Sequence, residues 1–429
     1  MSIVSLPTPW NLYNLTGSPF FQGVLEDREH TQRPLTLFVG RKNELARMRT
    51  AIHGAGAQSS RHAIAGGPGV GKTTLVQELK ATLRDDGYLA SASHVHVLPD
   101  DTAGSLFIRI LAAVYEILLL ARPHLIDNDA MQQAQALVRV TRERSTQLSV
   151  SVAGFGLGGG RSQTMHVPPD PMADGPRVLR ALMALVATSD ARGVILHLNN
   201  LENLSDAASN AAADILRSLR DPVFQQDGLH TLVVGTVDAV QAAVNKHAQM
   251  RSVFTTVLVD PLPLADVLQL LQARYAVLRR EASRPVAPPV ATAAVDTLYG
   301  YFRGDLRGLL KALDEGAAEV IGLRLPAEGA AAVWPALTLA DMLPGLQQRA
   351  RTQLRAEVPG RMEHLDRWGA ANPAAAHTQQ SLATLWGLSQ AAVSVAVDHL
   401  QKAGYLVPLG LEGRRMRYGL SGTSRLIYG

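Results

Sequence analysis

The chain has 429 residues, 47% of them hydrophobic and 18% charged, and a formal net charge of +4. That length predicts two or three domains with ample buried core, and the balance is that of an ordinary soluble globular protein. There are no cysteines, which excludes disulfides and thiolate metal sites, and no apolar run behind a basic start suggests a secretory signal. The expectation is a cytoplasmic protein without a membrane span.

Residues 1–34 look like an irregular arm with buried aromatics, Trp10, Tyr13, Phe20 and Phe21 among them. A short strand is expected over Leu35–Val39, a helix over Arg41–Ile52 and a strand over His62–Ala65. Gly66-Gly67-Pro68-Gly69-Val70-Gly71-Lys72-Thr73 fits the phosphate-binding loop G-x-x-x-x-G-K-[ST] at every fixed position. Its glycines let backbone N–H groups converge on phosphate oxygens, and the following helix, Lys72–Asp85, adds its positive N-terminus. Lys72 is expected at the β- and γ-phosphates and Thr73 on Mg²⁺, with Thr74 completing the nucleotide-binding set. ATP and Mg²⁺ are the expected cofactors.

Further along, Ser93–Leu98 alternates as a strand, placing His94 and His96 on one face. No third metal ligand is evident, so packed or solvated histidines are the plainer reading. Leu106–Ala121 and Ala130–Arg144 read as helices. Alternation over Gln147–Ala153, glycines over Gly154–Gly160 and an extended Arg161–Val167 together predict a hairpin inserted near 147–167. It serves either as a surface flap or as a loop touching a neighbouring subunit or DNA. Helices are expected at Pro176–Thr188, Ala207–Arg220 and Val237–His247, and strands at Gly193–Leu198, Thr231–Thr236 and Val253–Val259. Gly193–Leu198 is apolar throughout apart from His197, as a buried parallel strand would be.

Alternating strands and helices around one phosphate loop predict an α/β fold with a parallel sheet covered on both faces. Residues 261–325 switch to helix only, and an Ala/Pro-rich stretch after them reads as a linker. Near the C-terminus, Thr378–Trp386 and Gln390–Ala403 are two helices joined by a turn with Ser389 as N-cap. Tyr405–Leu409 and Arg415–Leu420 then make a hairpin, completing a winged-helix pattern. The expected division is an arm (1–34), an ATPase core (35–260), a helical lid (261–325), a linker (326–358) and a winged helix (359–429).

Two further segments narrow the family. Phe38-Val39-Gly40-Arg41 with Glu44-Leu45 precedes the phosphate loop, and Gly304-Asp305-Leu306-Arg307 opens a helix in the all-helical section. With the loop between them, the chain resembles AAA+ ATPases, in particular the clade of origin-recognition and archaeal replication initiators. The resemblance implies an αβα ATPase domain, a helical lid and a C-terminal winged helix. It implies that Val39 and Gly40 lie against adenine and that Arg307 is the lid arginine reaching the γ-phosphate. Thr236 falls at the polar strand-end position called sensor 1. Arg251 falls where the clade often carries an arginine finger acting on a neighbour's nucleotide. The bland alternatives are a surface salt bridge for Arg307 and an ordinary surface arginine for Arg251.

The departure lies in the acid segment. Family members tend to show Leu-Asp-Glu-hydrophobic-Asp, and here Leu198-Asn199-Asn200-Leu201-Glu202 stands in its place. Asn199 cannot supply the charge that orients Mg²⁺, and Asn200 cannot accept a proton from the attacking water. Unless Glu202 or another acid moves in, hydrolysis is expected to be weak or absent while ATP still binds.

On the winged helix, Gln390, Ser394 and Lys402 lie on the exposed face of the second helix, and Arg414, Arg415 and Arg417 sit on the hairpin. These are the residues expected to meet double-stranded DNA. Three readings stay open: a DNA-associated ATP-gated assembly switch, a signalling ATPase of the STAND type whose winged helix makes protein contacts, and a transcription regulator. The first implies a homo-oligomer and a protein partner from the same pathway.

Overall fold

In the computed structural model the described residues are 8–25, 33–150, 171–204, 211–245, 248–323, 334–413 and 415–429. They cluster into two compact units. One comprises Val24–Gly67 and Gly71–Asp260, and the other Met1–Gly23, Pro68–Val70 and Pro261–Gly429.

The first unit is built on a parallel sheet. Its strands are β1 (Arg61–Gly66), β2 (Leu89–Ala90), β3 (Val95–His96), β4 (Val194–Asn199), β5 (Leu229–Gly235) and β6 (Thr255–Val259). The order is β2-β4-β5-β1-β6, with β3 also pairing β4, so β1 lies between β5 and β6. Ala65 is in register with Gly235, and Gly66 with Val259. The strands β4 and β5 are buried at every residue, which suits the apolar runs Val194–Leu196 and Leu232–Val234 and also buries His197, His230 and Thr231. The accompanying helices are α1 (Lys42–Ala55), α2 (Lys72–Asp85), α3 (Ala103–Ala121), α4 (Asp129–Val150), α5 (Pro171–Ala187), α6 (Ala211–Ser218), α7 (Val237–Val240) and α8 (Ala248–Arg251). Together they make a P-loop αβα fold. Among the described residues α3 is the one helix long and apolar enough to cross a membrane. Here it packs against α4, α5 and β4, and Leu106, Phe107, Leu111 and Val114 are fully buried.

Several expectations need correction. Leu35–Leu37 is a 3-10 turn, because Leu37 and Phe38 donate to the Pro34 and Leu35 carbonyls and pair with no strand. The strand expected over Ser93–Leu98 shrinks to Val95–His96. Gln147–Val150 continues α4 and is not extended; four residues of alternation fit a helix as well as a strand. The rest of the expected hairpin lies outside the described residues. The helix expected over Val237–His247 is an α turn followed by a π turn, Gln241–Asn245.

The second unit holds α9 (Leu264–Val277), α10 (Thr292–Tyr301), α11 (Leu306–Leu323), α12 (Leu339–Glu357) and α13 (Met362–Ala371). Then come β7 (His377–Thr378), α14 (Gln379–Trp386), α15 (Gln390–Lys402), β8 (Leu406–Glu412), β9 (Arg415–Leu420) and α16 (Gly422–Tyr428). The expected linker 326–358 contains α12, a 19-residue helix opened by a capping box between Thr338 and Asp341. The N-terminal arm packs on this unit. Asn14 Nδ2 donates to the Glu281 and Arg284 carbonyls, and Arg274 Nη1 donates to those of Pro19 and Phe21. The C-terminal helix-turn-helix and hairpin both form, with β7, β9 and β8 in one antiparallel sheet. Val393, Ala396, Val397 and Leu400 turn α15 onto a core with Trp368, Leu382 and Trp386.

Candidate nucleotide site and C-terminal surface

The phosphate loop leaves the end of β1 and enters α2 at Lys72 with no intervening turn of helix. Gly69 and Gly71 hold φ of +67° and +91°, conformations that side chains with a Cβ rarely adopt. Within the second unit, the Asp305 carboxylate and the Arg307 Cβ occupy the space that a Cβ on Gly69 would need. Lys72 Nζ donates to the Gly66 and Gly67 carbonyls at 3.0 and 2.8 Å. The ammonium therefore sits across its own loop. Thr73 and Thr74 follow in the first turn of α2. Upstream, Val39 and Gly40 are half-buried in an irregular segment, and Gly40 and Arg41 both take positive φ before α1 begins.

The Leu198–Glu202 segment lies on the same C-terminal edge of the sheet, the edge where open α/β sheets place their ligands. Asn199 is the last residue of β4 and is buried. Asn200 follows in the left-handed region, φ +66°. Asparagine is among the few non-glycine residues that tolerate that conformation. A backbone reason for Asn200 thus stands beside the chemical one. Each amide faces a histidine: Asn199 Nδ2 lies 3.4 Å from His94 Nε2, and Asn200 Nδ2 lies 3.4 Å from His96 Nδ1. The His94 ring is 4.3 Å from that of His96 and 5.0 Å from that of His197, centroid to centroid. Burial, with His96 and Lys80 adding, holds His94 down at about 4, and burial also keeps His197 neutral. Lys80, unremarked in the sequence reading, is buried beneath them and donates to the Ser91, Ala92 and Ser93 carbonyls. Burial brings its ammonium down to about 7. No group of described residues has the geometry of a metal site.

Glu202 is closer to the loop's strand than its place in the chain suggests. A Cβ on Gly235 would come within 3.4 Å of Glu202 Oε2 and 2.9 Å of Leu201 Cβ. Gly235 is the register partner of Ala65, so a carboxylate does lie over the end of β5, beside the strand that carries the loop. Thr236 follows directly, and its hydroxyl accepts from Ala239 N at 3.2 Å as the N-cap of α7. Its O–H remains a donor.

The two arginines differ in their surroundings. Arg251 ends α8, is exposed, and folds back so that Nε and Nη2 donate to the Asn245 carbonyl at 3.1 and 2.7 Å. Arg307 is exposed in the first turn of α11. Ahead of it Gly304 holds φ +83° against Pro261, and Asp305 Oδ1 accepts from Gly308 N at 3.1 Å, an N-cap.

On the C-terminal surface, Gln390 opens α15, and Ser394 lies exposed one turn on. Lys402 is not a free cation, since its Nζ meets Asp398 Oδ2 at 2.9 Å. Arg415 donates to Gln380 Oε1, Arg417 is half-buried on β9, and Arg414 lies outside the described residues. A groove of about 500 Å³ joins Gln390 and Arg415 to Thr378, Gln379, Gln380 and Tyr418. The sequence reading missed the last four. The amide pair at the start of α14, directly after its N-cap, was the available signal.

Residues 37–234 match the AAA ATPase domain family model. No curated protein matches the chain. Among solved structures it is similar to the Aeropyrum pernix ORC2 protein in its ADPNP–ADP complexes, with a TM-score of 0.48, 13% identity and 95% of each chain covered. It is also similar to the Aeropyrum pernix ORC1 protein in complex with DNA, with a TM-score of 0.44, 13% identity and coverage of 91% of this chain and 92% of that one. For a Walker-type ATPase of Pyrococcus abyssi the TM-score is 0.47, with 12% identity and coverage of 95% and 99%. The phosphate loop, β4 with the Asn200 that follows it, and nearly all of β5 lie within the residues that match this AAA ATPase domain model.

Proposed function

We propose that this protein is an ATP-binding switch that docks double-stranded DNA through its C-terminal winged helix and turns ATP over weakly or not at all. In this reading residues 35–260 are the ATPase core, residues 261–325 the lid and residues 359–429 the winged helix. The left-handed glycines at 69 and 71 and the start of α2 at Lys72 fit a triphosphate, which Gly66–Thr74 would cradle. Thr73 would offer its hydroxyl to Mg²⁺. The bound metal would neutralise phosphate charge, Lys72 would add a second positive charge, and Thr236 and Arg307 would sense the γ-phosphate.

The observation that carries weak hydrolysis is the end of β4. Asn199 and Asn200 present amides to two histidines where an acid pair would hold the metal and the attacking water. Loss of general-base help alone is worth about 10²–10⁴-fold in rate. The Glu202 carboxylate beside Gly235 would be an acid on this edge able to hold water at the metal. We assign it that role rather than proton abstraction, because it covers the end of β5 and not the tip of β4.

A second reading, the STAND-type switch, draws on a specific contact. The C-terminal elements and the α9–α11 helices are one compact unit, with Arg425 Nη1 donating to the Gly300 carbonyl at 2.7 Å and Phe302 filling the space beside Gly422. Labelled duplex binding with ATP, ADP or no nucleotide, combined with sedimentation of the same samples, separates the two. ATP-dependent assembly on DNA supports the first reading. ATP-dependent assembly without DNA supports the second.

A further inference from the structure

The outward face of α15 has an unusual composition for a helix that meets DNA. Gln390, Ala391, Ser394 and Val395 are all exposed, and Val395 is 62% exposed directly opposite the buried stripe of Val393, Ala396, Val397 and Leu400. No arginine or lysine occurs in α15 before Lys402, which forms an exposed surface pair with Asp398 at the far end of the helix. A single exposed valine is ordinary on a protein surface. Here it lies one turn after Ala391, with an amide and a hydroxyl flanking the pair.

We infer that α15 reads A·T base pairs in the major groove, with Gln390 on adenine and the methyl groups of Ala391 and Val395 against thymine. The inference rests on the proposal that this domain docks duplex DNA. The N-terminal residues of such a helix are the ones that reach base edges. Glutamine matches the N6–H donor and N7 acceptor of adenine, and an apolar side chain matches the thymine C5-methyl group, which no other base carries. Guanine would present two acceptors to a face holding two hydrocarbon side chains and no cation. Phosphate attraction would come from Arg415, which shares a groove with Gln390. Affinity would then sit on the hairpin and base choice on the helix.

The test uses the full chain with ATP and a duplex library randomised over the contacted stretch. The expected result is enrichment of A and T at adjacent positions. Gln390→Ala should flatten the preference at one position by roughly 5–150-fold. Replacing thymine by deoxyuridine removes only the methyl group and should weaken wild-type binding about 4-fold, the worth of one buried methyl. Val395→Ser should erase that difference, while Arg415→Ala should lower affinity and keep the preference. Salt-dependent binding with no base enrichment, or with guanine enrichment, overturns the inference and leaves DNA docking standing. Absence of duplex binding with any nucleotide overturns both. Loss of self-association in Val395→Ser with unchanged DNA binding would make this face a protein interface and also overturn the inference.

Discussion

Restoring the two acids, as Asn199→Asp with Asn200→Glu, probes the end of β4 directly. Three magnitudes follow from the geometry. A glutamate at 200 must take φ near +66°, which costs about 1 kcal/mol and should lower the urea midpoint slightly. The new carboxylates would lie near His94 and His96, where the amides now stand at 3.4 Å. The bare attraction of unit charges at that distance is about 5 kcal/mol at an effective dielectric of ~20, reduced by desolvation. That is enough to lift His94 from about 4 back into the physiological range. Below that new value His94 is charged and holds the carboxylate introduced at 199 in an ion pair. Above it the carboxylates are free to serve metal and water. Phosphate release should therefore rise about 10²–10⁴-fold in the double variant, more at pH 8 than at pH 6. Unchanged turnover at both pH values, with nucleotide still bound, would refute the reasoning.

Three further outcomes follow. Lys72→Ala should abolish detectable ATP binding in equilibrium titration, since its ammonium lies at the Gly66 and Gly67 carbonyls of the loop; wild-type ATP affinity in this variant would remove the loop from the account. Arg415→Ala with Arg417→Ala should reduce the slope of log affinity against log salt by about 0.9 per lost phosphate contact, and an unchanged slope moves the DNA contact elsewhere. Stability should fall as pH drops from about 6.5 to 4. Burial lowers His62, His94 and His230 to about 4 and keeps His197 neutral, so between those values the unfolded chain binds more protons than the folded one. A urea midpoint that is flat over this range contradicts the neutral-histidine arrangement.

Local chemistry carried the parts of the fold that were legible in advance. The phosphate loop needs a strand before it and a helix after it, and α2 begins and ends where the pattern places it. Ser389 caps α15 because a side-chain oxygen at that position satisfies an otherwise orphaned N–H. What escaped the sequence depends on pairing. His197 stood out as the one polar residue in an apolar strand, but its approach to His94 requires β3 to pair in parallel with the end of β4, His96 opposite Asn199. The left-handed backbone at Asn200 depends on how the chain turns into the Leu201–Leu204 3-10 segment, although an asparagine at a strand end is a usable hint. Glu202 reaches Gly235 only because glycine leaves β5 bare at its last residue. Short alternation misled at Gln147–Val150, where the helix already running through α4 outweighed four residues of pattern.

The central claim is that ATP is held and not consumed, and the identity of the bound nucleotide after incubation tests it most directly. Purified full-length protein is mixed with a slight excess of ATP and Mg²⁺, with and without duplex DNA, and the bound nucleotide is separated and identified over minutes to hours. The account predicts that ATP is recovered intact from the wild-type protein and ADP from the Asn199→Asp, Asn200→Glu variant. Bound ADP in the wild-type protein within seconds, at a rate typical of working ATPases, contradicts it.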